Sequence, residues 1–358
     1  MKTNLIYILG MMCLSGTVSA QTTVNYTEFE QKVLDYSQTL KQSVSQRTAM
    51  QKAMKAAKTA FFPAVDATGS YQYRINKYDM DFGGMAVPME HDSYSAEVGV
   101  VQPIYAGGSI YHTYKASQIQ SQIADKSVDL TTDNLIYAAE ASYWGTAAQK
   151  EMYKTMCQYV EIISQLTKVL QDKYDDGYIS KTDLIQMQTR LKEAELQRSS
   201  SYQSYQIALQ NMNVLMGLEP NKEVGLVDSI FVELPLPAYV GADAALNVRP
   251  DYAISQLDVD YQKRQVKLAA AKYNPSLSIG FKETWGTQML NISGETMFNS
   301  NVYASVKLPL FHWGARFKST AAQKAILLGK QYALQDKQDQ ITKEVAKAWT
   351  SLTENTRQ

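Results

Sequence analysis

The side chains that most often carry enzymatic chemistry are few and widely separated in this sequence. Its three histidines, His91, His112 and His312, have no cysteine or carboxylate partners at the spacing of a metal site. The glycine pairs at 83–84 and 107–108 do not fit a phosphate-binding loop, and a Gly-x-Ser-x-Gly nucleophile elbow is absent. The sequence therefore predicts no catalytic residues, no cofactor, no metal and no enzyme.

A different chemistry, recognition of another protein, is indicated by one turn between two long helical patterns. The turn comprises Asp175, Asp176, Gly177, Tyr178, Ile179 and Ser180. Gly177 supplies the left-handed conformation that ends a helix, and Ser180 with Asp183 comes close to a capping box, which ordinarily uses Glu or Gln. An exposed apolar pair such as Tyr178 and Ile179 marks an interaction site. The alternative is that this segment only turns and caps.

Two long helices must position that turn. Residues from Ser109 to Tyr174 contain no proline and a single glycine, Gly145, which predicts one helix of roughly 100 Å. A second helix follows the turn and ends before Gly217. Apolar residues recur every three or four positions in both, which is typical of coiled-coil packing. They are Met156, Val160, Ile163, Leu166, Leu170 and Tyr174, then Leu184, Met187, Leu191, Ala194, Leu209, Met212 and Met216.

Four other segments alternate apolar and polar residues with the period of a β-strand. They cover 65–75, 94–100, 277–285 and 302–308. A soluble sandwich alternates in the same way, but four strands in two distant hairpins are too few for a self-standing one. Charges on the polar side, such as Glu97 and Lys282, suit a water-filled lumen and favour membrane-spanning barrel strands. The tyrosines placed at the headgroup level would be Tyr71, Tyr73, Tyr94 and Tyr105.

The chain contains one structural plan twice. Two similar segments, Gln102–Ile110 and Leu308–Arg316, are predicted to be strand-exit turns. Their defining residues are Pro103, Gly107 and Gly108 in the first, and Pro309, Trp313 and Gly314 in the second. Both prolines, and both final glycines, lie 206 residues apart. We predict a first repeat at 21–225, a linker at 226–246 and a second repeat at 247–358.

The second repeat is expected to be incomplete. By the repeat offset it lacks about 65 residues that the first repeat has. We therefore expect a fragment or a truncated gene, in which the second turn between long helices and the helix that returns from it lie outside the sequence. The apolar stripe at Ile341, Val345 and Ala348 is expected to remain unpaired.

The amino terminus has the layout of a secretory signal peptide over residues 1–20, with Lys2, an apolar run and small residues before Gln21. Cys157 is the only cysteine after that segment, so no intrachain disulfide is expected. A capping box over Thr27–Glu30 predicts a helix that continues to about Ala60, before Pro63. The 35 basic and 35 acidic residues balance, which argues against a nucleic-acid partner.

Together these features resemble the TolC family of outer-membrane efflux and secretion channels over nearly all of the mature length. The resemblance is carried by the duplication, the two strand-exit segments, the turn at 175–180, the Asn-Val-Leu-Met-Gly-Leu segment at 213–218 and the Arg-Pro-Asp segment at 249–251. It implies a mostly α fold with a small β part. Long antiparallel coiled-coil hairpins would form an α-barrel, and four transmembrane β-strands per subunit would contribute to a trimeric β-barrel.

The resemblance also implies a function. The chain would be a passive export duct for multidrug efflux or type I secretion, a homotrimer in the outer membrane of a Gram-negative bacterium that extends into the periplasm. A periplasmic adaptor (membrane fusion) protein would contact the tip at 175–180, and an inner-membrane pump would supply the energy. Independently, four strands are too few to close a membrane barrel, so the subunit must oligomerise. The alternative is a periplasmic coiled-coil adaptor or structural rod without a channel.

Overall fold

The structure is a computed structural model that describes residues 22–76, 79–88, 90–232, 235–287 and 295–357. The predicted signal peptide at 1–20 lies outside them. The chain divides into two compact units. The first combines the residues up to Gln38 with Asp133–Leu234, and the second combines Thr39–Thr132 with the residues from Pro235 onward.

In chain order the elements are β1 (Thr22–Val24), α1 (Tyr26–Tyr36), α2 (Gln38–Thr59), β2 (Ala64–Tyr73), β3 (Asp79–Phe82), β4 (Met85–Pro88), β5 (Asp92–Ala106), α3 (Ser109–Asp175), α4 (Lys181–Leu215), β6 (Val224–Leu226), α5 (Ala242–Val248), α6 (Pro250–Ala271), β7 (Ser276–Thr287), β8 (Thr296–Lys307) and α7 (Ala315–Asn355). Of the residues that the structure describes, 205 lie in these helices and 63 in these strands. This confirms the mostly α fold with a small β part. Within the described residues, no helix is both long enough and apolar enough to cross a membrane.

The first unit has a core around Tyr143 of α3. β1 pairs in parallel with β6, with Thr22 opposite Val224. The buried side chains of this core include Val24, Phe29, Val33, Leu209, Met212 and Val224. The Tyr143 hydroxyl donates to the Asp228 carboxylate at 2.7 Å and lies 3.1 Å from the Val24 carbonyl oxygen. Burial and then Asp228 raise the pKa of Tyr143, so this hydroxyl stays protonated and ties β1 to the chain after β6.

Two predictions for the first helical segment are wrong. The helix start is capped by Asn25, whose side chain accepts from the Glu28 amide at 2.8 Å, and Thr27 lies inside α1. The predicted box failed because an N-cap residue needs extended backbone, which Asn25 has (φ −88°, ψ 169°). The segment is also two helices, because Ser37 leaves the helical region (φ −48°, ψ 115°) between α1 and α2. The end of α2 at Thr59, before Pro63, agrees with the prediction.

The predicted long helices are present as α3 and α4, and most of the apolar residues predicted to pack are buried or half-buried. The fully buried ones are Val160, Leu184, Ala194, Leu209, Met212 and Met216. Leu166 is an exception, because its side chain is exposed on α3. Gly145 lies within α3 without breaking it.

The second unit contains a four-stranded antiparallel sheet with the order β2-β5-β7-β8. Its register places Val65 opposite Val100, Val100 opposite Phe281, and Phe281 opposite Val302. In the neighbouring row, Asp66 is opposite Gly99, Gly99 is opposite Lys282, and Lys282 is opposite Asn301. One face is therefore mainly apolar and the other mainly polar, as the alternation in the sequence predicts. The exception is the pair of Glu283 and Ser300, which are hydrogen-bonded to each other on the apolar face, where Glu283 is opposite Val98.

Every helix that joins this sheet does so at the same end. α2 precedes β2, α3 follows β5, α6 precedes β7 and α7 follows β8. Ala106 at the end of β5 is opposite Ser276, which in turn is opposite Lys307 at the end of β8. We call this the helix end of the sheet. The order helix, strand, strand, helix thus occurs twice, while the division of the chain into repeats and linker stays a prediction.

The expectation that the stripe on α7 is unpaired is wrong at its first residue. Ile341 is fully buried, because α7 packs against α5 and α6. Val345 is half-buried and Ala348 is exposed. Farther along α7, the ring of Trp349 lies edge-on to Tyr239, with centroids 5.1 Å apart. Most of the stripe therefore has partners within the second unit.

Candidate functional site

The turn at 175–180 is rigid because both of its helix ends are capped. Gly177 has φ 80°, the Tyr178 amide donates to the Lys173 carbonyl at 2.8 Å, and the Gly177 amide donates to the Tyr174 carbonyl at 2.9 Å. These two bonds form a Schellman cap. On the other side, Ser180 Oγ accepts from the Asp183 amide at 3.2 Å and the Asp183 carboxylate accepts from the Ser180 amide at 3.2 Å.

This capping holds one large aromatic side chain in solvent. Tyr178 is 79% exposed, whereas Ile179 is half-buried, so the two residues are not equally available. Asp175 and Asp176 are exposed beside it, and Asp175 accepts from the Gln171 amide group at 3.0 Å. The turn can present an aromatic ring flanked by carboxylates, which suits protein recognition rather than catalysis.

The first strand-exit segment is held by a close backbone approach. Pro103 lies inside β5, beside a shift in its register with β7, and the turn itself is formed by Gly107 and Gly108. Gly107 has φ 64°, and a Cβ there would lie 2.5 Å from the Ala271 carbonyl oxygen. Its own carbonyl accepts from Asn274 Nδ2 at 2.9 Å. Only glycine fits this position, which joins the exit of β5 to the entry of β7.

The second segment presents aromatic rings instead. Trp313 has φ 49° and Gly314, the N-cap residue of α7, has φ 74°. Trp313 is 85% exposed, and its ring lies edge-on to Phe311 with centroids 4.9 Å apart. Pro309 lies in the irregular stretch after β8. The aromatic side chains of this segment are therefore exposed at the helix end of the sheet.

Sequence reasoning missed most of the aromatic residues at that end. The exposed set, here called the aromatic belt, comprises Phe61, Phe62, Tyr105, Phe311, Trp313 and Phe317. Of the four tyrosines chosen from the sequence, only Tyr105 belongs to it, since Tyr71, Tyr73 and Tyr94 lie toward the hairpin end of β2 and β5. Proximity to a strand–helix junction is the signal that would have identified the belt.

The histidines have local roles. His91 lies 2.8 Å from the Arg74 carbonyl oxygen through Nδ1, and His312 packs edge-on against Tyr273, with ring centroids 5.4 Å apart. Across the described ranges, no three His, Cys, Asp or Glu side chains are grouped so that they could hold a metal ion.

Comparison with known proteins identifies the family. The model of the outer membrane efflux protein family matches residues 30–218 and 241–358, which is most of the chain. The chain belongs to this family. The family places it at the outer membrane.

Individual relatives are distant in sequence and similar in fold. The chain is 22% identical over 268 residues to the alkaline protease secretion protein AprF of Pseudomonas aeruginosa, covering 73% of this chain and 55% of AprF. It superposes on the CmeC outer membrane channel of Campylobacter jejuni with a TM-score of 0.74 at 16% identity, covering 87% of this chain and 67% of CmeC. For the outer membrane protein VceC of Vibrio cholerae the TM-score is 0.75 at 15% identity, and the match covers 91% of this chain and 78% of VceC. The chain thus spans about half the length of the curated relative it matches.

Proposed function

We propose that the chain is a subunit of an outer-membrane channel that serves efflux or type I secretion. The observation that carries this proposal is the sheet, whose mainly apolar face exposes a large side chain on each of its four strands, namely Val65, Val98, Phe281 and Val302. Val302, for example, is 84% exposed. In water such a face is unfavourable, whereas against lipid it is the expected surface of a transmembrane barrel strand.

The edges of the sheet support assembly from several copies. β2 and β8 are the outer strands and each pairs on one side only, within the residues that the structure describes. Open strand edges are not tolerated in the hydrocarbon region of a membrane, because their amide and carbonyl groups would lack partners. A homotrimer in which β8 of one copy pairs with β2 of the next would supply those partners, as the resemblance to the TolC family implies.

The polar face suits a water-filled interior. Glu97 and Lys282 form an ion pair there, and a groove of about 840 Å³ along the same face is lined by Ser70, Ser93, Thr284 and Asn299 among others. Hydroxyl and amide groups offer both donors and acceptors without a fixed charge, so they suit passive conduction of varied cargo. In this proposal the subunit performs no covalent chemistry.

The partners follow from the same proposal. The capped turn at 175–180 would contact a periplasmic adaptor protein through Tyr178, and an inner-membrane pump would drive export through that adaptor. The similarity to a protein named for alkaline protease secretion makes type I secretion one candidate pathway, and the channel CmeC is one solved neighbour.

The test uses adjacent residues on opposite faces of β8, in a Cys157→Ser background that leaves no other cysteine after the signal segment. Asn301→Cys and Val302→Cys are labelled with a water-soluble maleimide in membranes from cells that express the full chain. We expect rapid labelling at position 301 and strong protection at 302, together with single-channel conductance in planar bilayers. Equal labelling at the two positions, or a monomer without conductance, would contradict the proposal.

A further inference from the structure

The distribution of charge along this neutral chain is uneven. Acid-free stretches at 36–65, 98–124, 261–282 and 296–335 contain 16 basic residues and no carboxylate. The rest of the chain carries the remaining 19 basic and all 35 acidic residues. All four junctions between a helix and the sheet fall inside these stretches, so the basic excess lies at these junctions and along the helices that join them.

Several of these cations are not paired with a carboxylate. The basic collar is here defined as eight of them, none of which forms an ion pair within the part of the chain that the structure describes. They are Lys55, Lys58, Lys115, Arg264, Lys267, Lys272, Arg316 and Lys318. Lys115 and Arg264 are half-buried and the other six are exposed. Cations placed only to keep helices soluble would be expected to alternate with carboxylates, which these stretches lack.

The collar is densest in a groove between α3 and α6. Lys115, Lys263, Arg264 and Lys267 line this groove of about 450 Å³, and its one carboxylate, Asp260, is paired with Lys263 at 2.8 Å. A helix dipole favours cations in the last turn of a helix. The last turn of α6 contains no basic residue, so the dipole does not account for the cations on this helix. Burial, then Arg264 and Lys267, lower the pKa of nearby His112, which reports the same positive field.

The collar also lies next to the aromatic belt. Trp313 and Phe317 flank Arg316 at the start of α7, and Phe61 and Phe62 follow Lys58 at the end of α2. Aromatic rings at the level of the lipid headgroups with cations just beyond them are the usual pattern at a membrane interface. Basic side chains at that depth reach the phosphates of anionic lipids.

We propose that the basic collar binds the phosphate groups of anionic phospholipids, in the leaflet that faces the helix end of the sheet. This inference rests on the proposed function, since it requires the sheet to lie in a bilayer. An acidic protein is the other class of partner that could bind such a surface. The belt beside the collar favours lipid, because a protein partner would not need aromatic rings in the headgroup zone.

The experiment measures partition of the full chain into vesicles of phosphatidylcholine alone or with phosphatidylglycerol. The test variant combines Lys267→Gln, Lys272→Gln, Arg316→Gln and Lys318→Gln, all at exposed positions. The control variant removes the same charge from the first unit with Lys168→Gln, Lys173→Gln, Lys181→Gln and Arg190→Gln. We expect wild type and control to prefer the anionic vesicles, and each collar charge removed to weaken that preference about fivefold at low salt.

The outcomes separate the two proposals. A preference that is lost in the test variant, kept in the control, and weakened on raising salt from about 0.05 M to about 0.5 M supports the collar as a headgroup site. Equal partition of wild type into neutral and anionic vesicles overturns it and leaves the collar to an acidic protein, while the channel remains. Equal preference in wild type and test variant overturns it as well. Failure to enter either vesicle refutes the proposed function itself.

Discussion

Asp251, at the start of α6, should be a major electrostatic contributor to the stability of the second unit. Its carboxylate accepts from Arg249 Nε at 3.0 Å and Nη2 at 2.7 Å, and from the Tyr252 amide at 2.9 Å. Lys337 Nζ lies 2.9 Å away on α7, and Arg249 also bonds Glu344 at 2.7 Å. The Asp251 side chain is 12% exposed. This network therefore joins the start of α6 to α7 at a poorly hydrated site.

The expected cost of Asp251→Asn follows from these contacts. The amide keeps one acceptor oxygen but loses the charge that faces Arg249 and Lys337, and a hydrogen bond to a charged group contributes about 1.5–3 kcal/mol. Arg249 is one-third exposed and retains Glu344, so we expect a net loss of about 2 kcal/mol. For a unit of this size that corresponds to a decrease of about 4–8 °C in the unfolding midpoint.

Asp251 should also make stability sensitive to acid. Hydrogen bonds from Arg249 hold the pKa of Asp251 well below its usual range, although burial opposes them. A carboxyl whose pKa is lower in the folded state stabilises the fold above its unfolded pKa of about 3.9, and loses that contribution as the pH falls further. Wild type should therefore lose stability below about pH 4 more steeply than Asp251→Asn.

Thermal and urea unfolding, followed by circular dichroism in detergent between pH 3 and pH 7, measures both effects. Asp258→Asn is the matched control on α6, because Asp258 forms a surface pair with Lys330 at 2.8 Å in which both side chains are exposed by more than a third. Such pairs contribute about 0.5 kcal/mol. If Asp251→Asn has the same unfolding midpoint as the control, and loses stability below about pH 4 as steeply as wild type does, the network does not stabilise the fold as argued.

Three further predictions concern other contacts. Gly107→Ala should destabilise the fold by about 3 kcal/mol or prevent folding, because the backbone is left-handed there and the added Cβ would collide with the Ala271 carbonyl oxygen. Gly177→Ala is the control, since its backbone is also left-handed but its Cβ would meet open space. Chemical denaturation should show a loss of only about 1 kcal/mol for this control. Tyr143→Phe should cost about 1.5–3 kcal/mol, because it removes a hydrogen bond to the charged Asp228 carboxylate. The exposed Tyr137→Phe should leave the denaturation midpoint unchanged. Tyr178→Ala should weaken adaptor binding by about tenfold in a pull-down titration without changing the melting curve; unchanged binding would rule out the tip contact.

Local sequence patterns were enough to predict the faces of the strands and the positions of the long helices. The alternation at 65–75 and 302–308 specified which residues share a face of the sheet, because side chains on a strand point to opposite faces in turn. The bounds of α3 and the turn at Gly177 were also readable, since the absence of proline and the need for a left-handed residue are local constraints. The function class came from the resemblance to the TolC family, which these local features and their repetition along the chain carry.

Only the tertiary structure decided which side chains find partners. Ile341 is buried because α7 packs on α5 and α6, and no local pattern states which helices will meet. Asn25 rather than Thr27 caps α1, because Asn25 directly follows β1, which pairs with β6, and keeps an extended backbone. The collar and the belt are scattered over some 260 residues of sequence, from Lys55 to Lys318 and from Phe61 to Phe317. They are brought to one end of the sheet only by the antiparallel register of four strands, because strand pairing determines which distant junctions lie side by side.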